Sequence, residues 1–271
     1  MTTAVAAYGS FIKVAFLNML SYRMRYFTGV VTYLLFVSVH YYIWKAVYAG
    51  SGSPQGVLQG YTFVEMGTYI AIAWIARSLY FSNVDEQIED LVTTGQIGVY
   101  LTRPVHFQSM MLVQAFGETL FRLCFFTAPI LTVLLLVFPI LPPASGVAFF
   151  GFILATLGSF IIFAQFNFLV GLLAFFFKSI EGVIRAKYYL IQLFSGLLIP
   201  ITFFPSWLGL IAKALPFQAI TYVPLQIYLG KAQGLGILGQ LGFQWLWILI
   251  LYLAGEYFWK KAFNRLTIQG G

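Results

Sequence analysis

The chain has 271 residues, of which 61% are hydrophobic and only 8% are charged. In a soluble domain roughly a quarter of the residues are charged. The composition of this chain therefore excludes a soluble protein and indicates an integral membrane protein. Apolar runs such as Ile130–Val137 show no alternation of polar and apolar residues, which excludes the strands of a membrane β-barrel. The fold class predicted is therefore an all-α membrane protein.

Six apolar stretches are long enough to cross a membrane as helices, which takes about 20 residues each. In chain order the predicted spans are Phe27–Val47, Tyr61–Tyr80, Gln114–Phe138, Gly146–Phe177, Ile184–Phe203 and Gln240–Phe258. No second domain is visible. We therefore expect residues 1–271 to form one membrane domain, with an interfacial segment at 1–26 and a six-span bundle at 27–271.

The basic residues predict how the spans are oriented. When the chain is drawn through the membrane as six spans, most lysines and arginines lie on one side of the membrane, whereas Lys45, Lys213 and Lys231 lie on the other. The positive-inside rule then places both termini in the cytoplasm, and Lys178–Lys187 becomes a short basic cytoplasmic turn. The net charge of +7 follows from this topology and from anionic lipid headgroups, so it does not predict nucleic-acid binding.

The segment Tyr8–Arg25 mixes apolar residues with lysine and arginine, and it is too charged to span a membrane. It predicts an amphipathic helix that lies along the cytoplasmic membrane surface. The alternative is a ragged extension of the first span.

Four of the eight acidic residues stand close together between the second and third spans: Asp85, Glu86, Glu89 and Asp90. Like charges at i,i+4 disfavour a helix slightly, and a solvated turn is the plain alternative. Ile88 and Leu91 nevertheless complete a short amphipathic helix, for which Gly95 is a suitable C-cap, and Arg103 and Pro104 end the loop. We expect the carboxylates to face water and the helix to dock on a soluble partner.

Glu118 and Arg122 stand four residues apart inside the third predicted span, which places both side chains on one helix face. Pairing lowers the free energy needed to bury such charges, and Arg77 in the second span is a further partner for the same carboxylate. The group is either a structural ion pair or a moving element of a transport path.

Three prolines, Pro205, Pro216 and Pro224, divide the stretch after the fifth span into apolar pieces of about half the length that crosses a membrane. Such pieces are typical of re-entrant segments, whose backbone must be covered by protein or line a cavity. Residues Pro205–Leu229 are therefore predicted to form two short helices that dip into the outer leaflet.

Several motifs of catalysis and cofactor binding are absent from the sequence. The chain has no phosphate-binding Gly-x-x-x-x-Gly-Lys-Ser/Thr loop. The glycine string Gly234–Gly239 follows no strand, and it is interpreted as a flexible approach to the sixth span. His40 and His106 have no histidine or cysteine partner at metal-ligand spacing. The single cysteine, Cys124, is interpreted as a packed apolar residue.

Three stretches together resemble permeases of the ATP-binding-cassette (ABC) export family of type 2. They are the loop Asp90–Val105 with its terminal Arg-Pro, the end of the fifth span at Ser195–Leu208, and the outer stretch from Leu215 to Gly230. With the six spans and the leading interfacial helix, the likeness covers nearly the whole chain. Tyr100 and Thr102 depart from the leucine-rich run that the family usually keeps in the loop.

The resemblance implies a multi-pass permease subunit of a bacterial inner membrane that performs no covalent chemistry. Its partners would be two cytoplasmic ABC ATPase subunits, a second permease, identical or paralogous, and membrane lipids. ATP and Mg²⁺ would bind to the ATPases, and no cofactor to this chain. The loop helix Asp85–Thr94 would be the coupling element that touches the ATPase. The outer gate would contain Pro205, Trp207, Pro216, Phe217, Tyr222 and Pro224.

The expected function is ATP-driven export of a hydrophobic or amphipathic substrate, a class that the aromatic content of 19% favours. The first alternative is a secondary carrier driven by an ion gradient, which would show several buried carboxylates. The second is a membrane-embedded enzyme that modifies lipids, which would need convergent acidic or histidine side chains at one depth.

Overall fold

The computed structural model describes residues 2–21, 23–52, 56–177 and 179–265, and the side chains of all of these except 2–6 and 23–27. These ranges form twelve α-helices, short π and 3-10 segments, and one β-hairpin. The helices are α1 (Thr2–Ser21), α2 (Arg23–Gly50), α3 (Phe63–Tyr80), α4 (Val84–Thr93), α5 (Ile97–Leu101), α6 (Phe107–Arg122), α7 (Ala128–Val137), α8 (Gly146–Gly171), α9 (Glu181–Phe194), α10 (Ser206–Ala214), α11 (Tyr222–Tyr228) and α12 (Leu235–Phe263). The strands are β1 (Val57–Leu58) and β2 (Tyr61–Thr62), paired antiparallel.

Four helical stretches of the described chain are long and apolar enough to cross a membrane: Thr28–Gly50, Phe107–Val137, Gly146–Phe175 and Leu235–Phe263. They correspond to the first, third, fourth and sixth predicted spans. The second prediction falls on α3, which begins at Phe63 because Tyr61 and Thr62 belong to the hairpin. The fifth falls on α9, and the count of six spans stays a prediction.

Helix α9 is shorter than the predicted span Ile184–Phe203. It ends after 14 residues, and Gly196 then turns the chain at φ +81°. Pro200 and a 3-10 segment at Ile201–Phe203 follow. At its other end α9 begins at Glu181, so the predicted basic turn Lys178–Lys187 is helical over most of its length; Lys178 itself lies outside the described residues.

The third span is one continuous helix from α6 to α7, and it starts earlier than predicted, at Phe107. A π segment, Leu123–Thr127, joins its two halves, and Pro129 in the first turn of α7 supports such an irregularity because it has no N–H to donate. Cys124 in the π segment is exposed on the bundle surface, so its interpretation as a packed apolar residue is wrong.

Helix α8 lies at the centre of the fold and packs against α12, α11, α4 and α3. The buried apolar side chains form two large clusters along it. One joins α4, α6, α8 and α12, and we call this end of the bundle the α4 end. The other joins α2, α3, α7 and the segments around α11 next to the β-hairpin, and we call it the hairpin end.

Helix α1 packs along α6, where Gly117 lets the two backbones approach closely. A Cβ atom on Gly117 would lie 2.5 Å from the carbonyl oxygen of Ile12. The predicted amphipathic segment Tyr8–Arg25 is thus helical as far as Ser21, whereas Arg23 already begins α2. That α1 lies on a membrane surface stays a prediction.

Helices α10 and α11 occupy the stretch in which two short helices were predicted, and the turn between them reaches the middle of α8. The carbonyl oxygen of Ala219 in this turn accepts hydrogen bonds from Ser159 Oγ at 3.2 Å and from Gln244 Nε2 at 2.8 Å. Ser159 is the fourteenth of the 26 residues of α8. The turn between α10 and α11 therefore reaches about half the length of α8, and there the carbonyl oxygen of Ala219 is covered by protein.

Candidate functional site

Helix α4 is fastened to the end of α8 by close packing of its apolar face. Val84 and Ile88 are fully buried, and Leu91 is nearly so. Gly171 of α8 makes room for this contact, since a Cβ atom there would lie 2.9 Å from Ile88 Cδ1 and 3.0 Å from Asp85 Cα. The loop helix predicted from the sequence is present, and it is held against the bundle along one face.

Asp85 does not face water as predicted, because it forms a buried ion pair with Lys187 of α9. Its exposed fraction is 1% and that of Lys187 is 7%. Lys187 Nζ also donates to Asn167 Oδ1 at 2.7 Å, and Asn167 Nδ2 donates to the carbonyl oxygen of Ser82 at 2.6 Å. A charge buried at this depth is stable only with such partners. The network ties α4 to both α8 and α9.

Glu89 makes a second attachment, to the loop that precedes α9. Its Oε1 atom accepts a hydrogen bond from the backbone N–H of Ile180 at 2.8 Å and one from Ser179 Oγ at 3.2 Å. A backbone N–H bound to a carboxylate is a charge-assisted hydrogen bond, which is stronger than a neutral one. Glu89 therefore positions α4 against this loop in addition to contributing charge.

Glu86 and Asp90 remain on the exposed side of α4. Glu86 accepts a hydrogen bond from Asn83 Nδ2 at 3.1 Å. The helix ends as predicted, with Gly95 in the left-handed region at φ +72° directly after the C-cap residue Thr94. Two of the four clustered carboxylates are thus exposed, and the other two hold the helix in place.

Arg103 connects the end of the loop to α1. Its guanidinium lies over the ring of Tyr100 at 4.6 Å and over the ring of Phe11 at 5.3 Å. Pro104 follows on the surface. Tyr100, one of the two departures from the family's pattern, therefore has a specific contact, and Thr102 donates to the carbonyl oxygen of Val99 at 2.9 Å.

Glu118 and Arg122 lie on one face of α6, with Oε2 and Nη1 3.9 Å apart, and both are buried. Glu118 Oε1 accepts a hydrogen bond from Gln87 of α4 at 2.7 Å. Arg122 donates to the carbonyl oxygen of Phe81, just after α3. This pair therefore links α6 to α4 and to the end of α3.

Arg77 does not reach Glu118, and the prediction of that contact is wrong. Its guanidinium donates to the hydroxyl of Tyr33 in α2 at 3.0 Å and to that of Tyr188 in α9 at 2.7 Å. It also lies over the rings of Phe81 and Trp74, at 5.0 and 5.5 Å. Arg77 is thus placed between α2 and α9 by aromatic side chains.

A cavity of about 890 Å³ lies between α1, α4, the loop after α5, and α6. Its walls are mainly apolar, and Asp90, Glu118, Gln87 and Arg103 contribute polar groups. The cavity thus brings together residues of three separate sequence predictions: the acidic cluster, the buried ion pair and the amphipathic leading helix.

The residues predicted to form an outer gate lie along the α10–α11 stretch and differ in exposure. Pro205 and Trp207 at the start of α10 are exposed, the latter to 64%. Pro216, Tyr222 and Pro224 are buried. Phe217 packs edge-on against Phe166 of α8, with ring centres 5.2 Å apart. The structure thus groups these residues in one segment, while their role as a gate stays a prediction.

Sequence reasoning missed the residues that hold the site together: Gln87, Asn167, Lys187, Tyr33 and Tyr188. From the sequence alone, Lys187 is one residue of a basic turn. A signal for it exists, because Lys187 stands between Ile184 and Ile191 on the apolar stripe of α9. Its partner Asp85 is 102 residues away, so no spacing in the sequence connects the two.

A family model described as ABC-2 family transporter protein matches residues 34–270 of the chain. A search of curated proteins finds no match. The family match covers α3 to α12 and most of α2, and therefore includes α4 and the α10–α11 stretch. With its apolar helices of spanning length, the protein is a multi-pass membrane permease that belongs to the ABC-2 transporter family.

Proposed function

We propose that this chain is the permease subunit of an ATP-driven exporter of hydrophobic or amphipathic molecules. Two such permeases, identical or paralogous, combine with two cytoplasmic ABC ATPase subunits that bind ATP and Mg²⁺. The complex lies in a bacterial inner membrane, with the α4 end and both termini in the cytoplasm.

The observation that carries this proposal is the way α4 is attached. Lys187 binds Asp85 on one side, the Ile180 N–H binds Glu89 on another, and Gly171 admits the apolar face. A helix held by three elements moves them with it when it is pushed. The carboxylates of Glu86 and Asp90 are exposed on α4, where basic groups of an ATPase can bind them.

Force applied to α4 has a short path to the rest of the bundle. Gln87 binds Glu118 of α6, Arg122 of the same helix binds the carbonyl of Phe81, and Asp85 binds α9 through Lys187. We infer that closure of the ATPases shifts α4 together with α1, on the two sides of the 890 Å³ cavity. The cargo then leaves between the two permeases, past the α10–α11 stretch.

The test measures how much ATPase subunit co-purifies with permease variants in which the exposed charges of α4 are reversed. We expect Glu86→Lys with Asp90→Lys to lower ATPase recovery at least tenfold, and the neutral pair Glu86→Gln with Asp90→Asn to lower it less. The difference should shrink at high salt, because exposed charges are screened. Gln233→Lys, an exposed position at the hairpin end, is the matched charge control and should change nothing.

Unchanged ATPase recovery with both lysine substitutions would remove α4 from the contact. Transport of cargo against its gradient by the permease alone, in vesicles without nucleotide, would overturn the exporter assignment itself and favour a carrier driven by an ion gradient.

A further inference from the structure

Lys213, near the end of α10, carries an exposed positive charge with no acidic partner. All eight acidic residues of the chain lie in its described part. The ion pairs there join Glu65 to Lys231, Asp85 to Lys187, Glu118 to Arg122, Glu181 to Arg185 and Glu256 to His106. None of the described carboxylates lies within ion-pair distance of Lys213.

Lys213 lies about a third to a half of the way along the bundle. Helix α10 starts at the hairpin end, where Phe203 contacts Trp44 at 5.0 Å and Tyr61 at 6.2 Å between ring centres. Lys213 is the eighth of its nine residues and lies about 10 Å along the helix axis from Ser206, which is a third of a hydrocarbon core of about 30 Å. The turn that follows reaches the middle of α8, where Ser159 binds the carbonyl oxygen of Ala219, and Gln218 of this turn donates to the carbonyl oxygen of Lys213.

A lysine at the centre of a bilayer that faced lipid would destabilise the protein by about 2.5–3.5 kcal/mol or more. Snorkelling toward the hairpin end is limited, because a lysine side chain is shorter than the roughly 10 Å of α10 between Lys213 and the start of the helix. An exposed, unpaired lysine at this depth therefore indicates that the surrounding surface faces water or an anion.

The same face of α10 also carries apolar side chains. Leu210, three residues before Lys213, is 71% exposed, and Trp207, three residues before Leu210, is 64% exposed. We propose that this face lines the transport path and that Lys213 binds the anionic group of an amphipathic cargo as the cargo crosses the membrane. The anionic group is a phosphate or a carboxylate. This inference rests on the proposed function.

The test measures which ions reach α10 in the purified protein reconstituted in vesicles. Cys124→Ser removes the single native thiol, and Leu210→Cys places a new one a turn from Lys213. We expect an anionic methanethiosulfonate reagent to modify Leu210→Cys faster than a cationic one. Lys213→Gln should lower the ratio of the anionic to the cationic rate about tenfold. One positive charge about 6 Å away in water attracts the anionic reagent and repels the cationic one, and together the two effects have about this size. Lys213→Arg should preserve the ratio.

Leu136→Cys is the control, since Leu136 at the end of α7 is 82% exposed and lies on another part of the surface. Its rate ratio should not respond to Lys213→Gln. If neither reagent modifies Leu210→Cys, or if its rate ratio is the same with lysine and glutamine at 213, the proposal is wrong. The labelling needs no ATP, so this outcome is independent of whether the exporter assignment holds.

A second arm identifies the source of the anion. In phosphatidylcholine vesicles, dodecyl phosphate should slow the modification of Leu210→Cys, and dodecyltrimethylammonium should not. Lys213→Gln should abolish the protection. Equal protection by both amphiphiles would contradict a charge-specific site. Protection by phosphatidylglycerol vesicles alone would assign the anion to a resident lipid and overturn the assignment to cargo.

Discussion

Lys187 and Arg185 stand two residues apart on α9 and each pairs with a carboxylate, but their surroundings differ. Lys187 and Asp85 are buried, whereas the side chains of Arg185 and Glu181 are 72% and 66% exposed. A buried charge that loses its partner retains the desolvation penalty, and an exposed one is solvated again. The two positions therefore provide a matched comparison within one helix.

We predict that Lys187→Met lowers the free energy of unfolding by about 3–5 kcal/mol, because it leaves Asp85 and Asn167 buried without their shared cation. Arg185→Met should change it by less than about 1 kcal/mol. Unfolding of the purified protein in mixed detergent micelles of rising dodecyl sulfate content measures both. The double variant Asp85→Leu with Lys187→Met should lose less than Lys187→Met alone. A larger loss for the double variant would contradict the assignment of the penalty to an unpaired carboxylate.

Gly117 and Gly242 compare two helix glycines that have different neighbours. Gly117 of α6 faces the backbone of α1, whereas nothing lies within 4 Å of a Cβ atom built on Gly242 of α12. The contact at Gly117 is with a carbonyl oxygen, which cannot move aside as a flexible side chain can. The position of α1 therefore depends on the absence of a side chain at residue 117.

We predict that Gly117→Ala displaces α1 from α6 and lowers the free energy of unfolding by about 1–3 kcal/mol, as expected for overpacking. Backbone amides of α1 should exchange hydrogen faster in the variant. Gly242→Ala should be neutral or stabilising, because alanine favours a helix more than glycine does. Equal exchange of α1 amides in wild type and Gly117→Ala would show that the close approach does not hold α1.

At the scale of elements, the sequence predicted helices well where length and hydropathy decide the outcome. The long apolar helices α2, α8 and α12 and the α6–α7 helix lie where spans were expected. The predicted end of the fifth span was wrong, because a turn at Gly196 interrupts the apolar run after α9. Hydropathy does not detect a single residue with left-handed backbone angles. The β-hairpin at Tyr61 was missed for a similar reason, being only two residues per strand.

The candidate site was predictable in location but not in its internal contacts. Clustered charge in an apolar chain marked the α4 loop correctly, because such residues need water or partners. Within the cluster, Asp85 and Glu89 bind residues in or next to α9, whereas Glu86 and Asp90 are exposed. This division depends on residues about 100 positions away in the sequence. Periodicity within one segment carries no information about such contacts, and without an alignment nothing else in the sequence does.

For the molecule as a whole, α3 connects the α4 end to the turn between α10 and α11. At its last residue, Tyr80, the ring packs against Phe163 of α8 and the hydroxyl hydrogen-bonds Thr221 Oγ1 at 2.9 Å. The adjacent Phe81 carbonyl accepts from Arg122. Tyr80 and Phe81, two consecutive residues at the end of α3, therefore connect the ion pair of α6 to the turn between α10 and α11.

We predict that Tyr80→Phe uncouples transport from ATP hydrolysis. The variant keeps the ring packing and loses the hydrogen bond to Thr221, a loss of about 0.5–1.5 kcal/mol. ATPase recovery should stay unchanged because α4 is untouched, while cargo moved per ATP hydrolysed should fall severalfold in reconstituted vesicles. Thr221→Val should act in the same way, and the double variant should be no worse than either single one, since both remove one interaction. Additive losses would instead mean that the two hydroxyls act separately, and that motion reaches the α10–α11 stretch by another route.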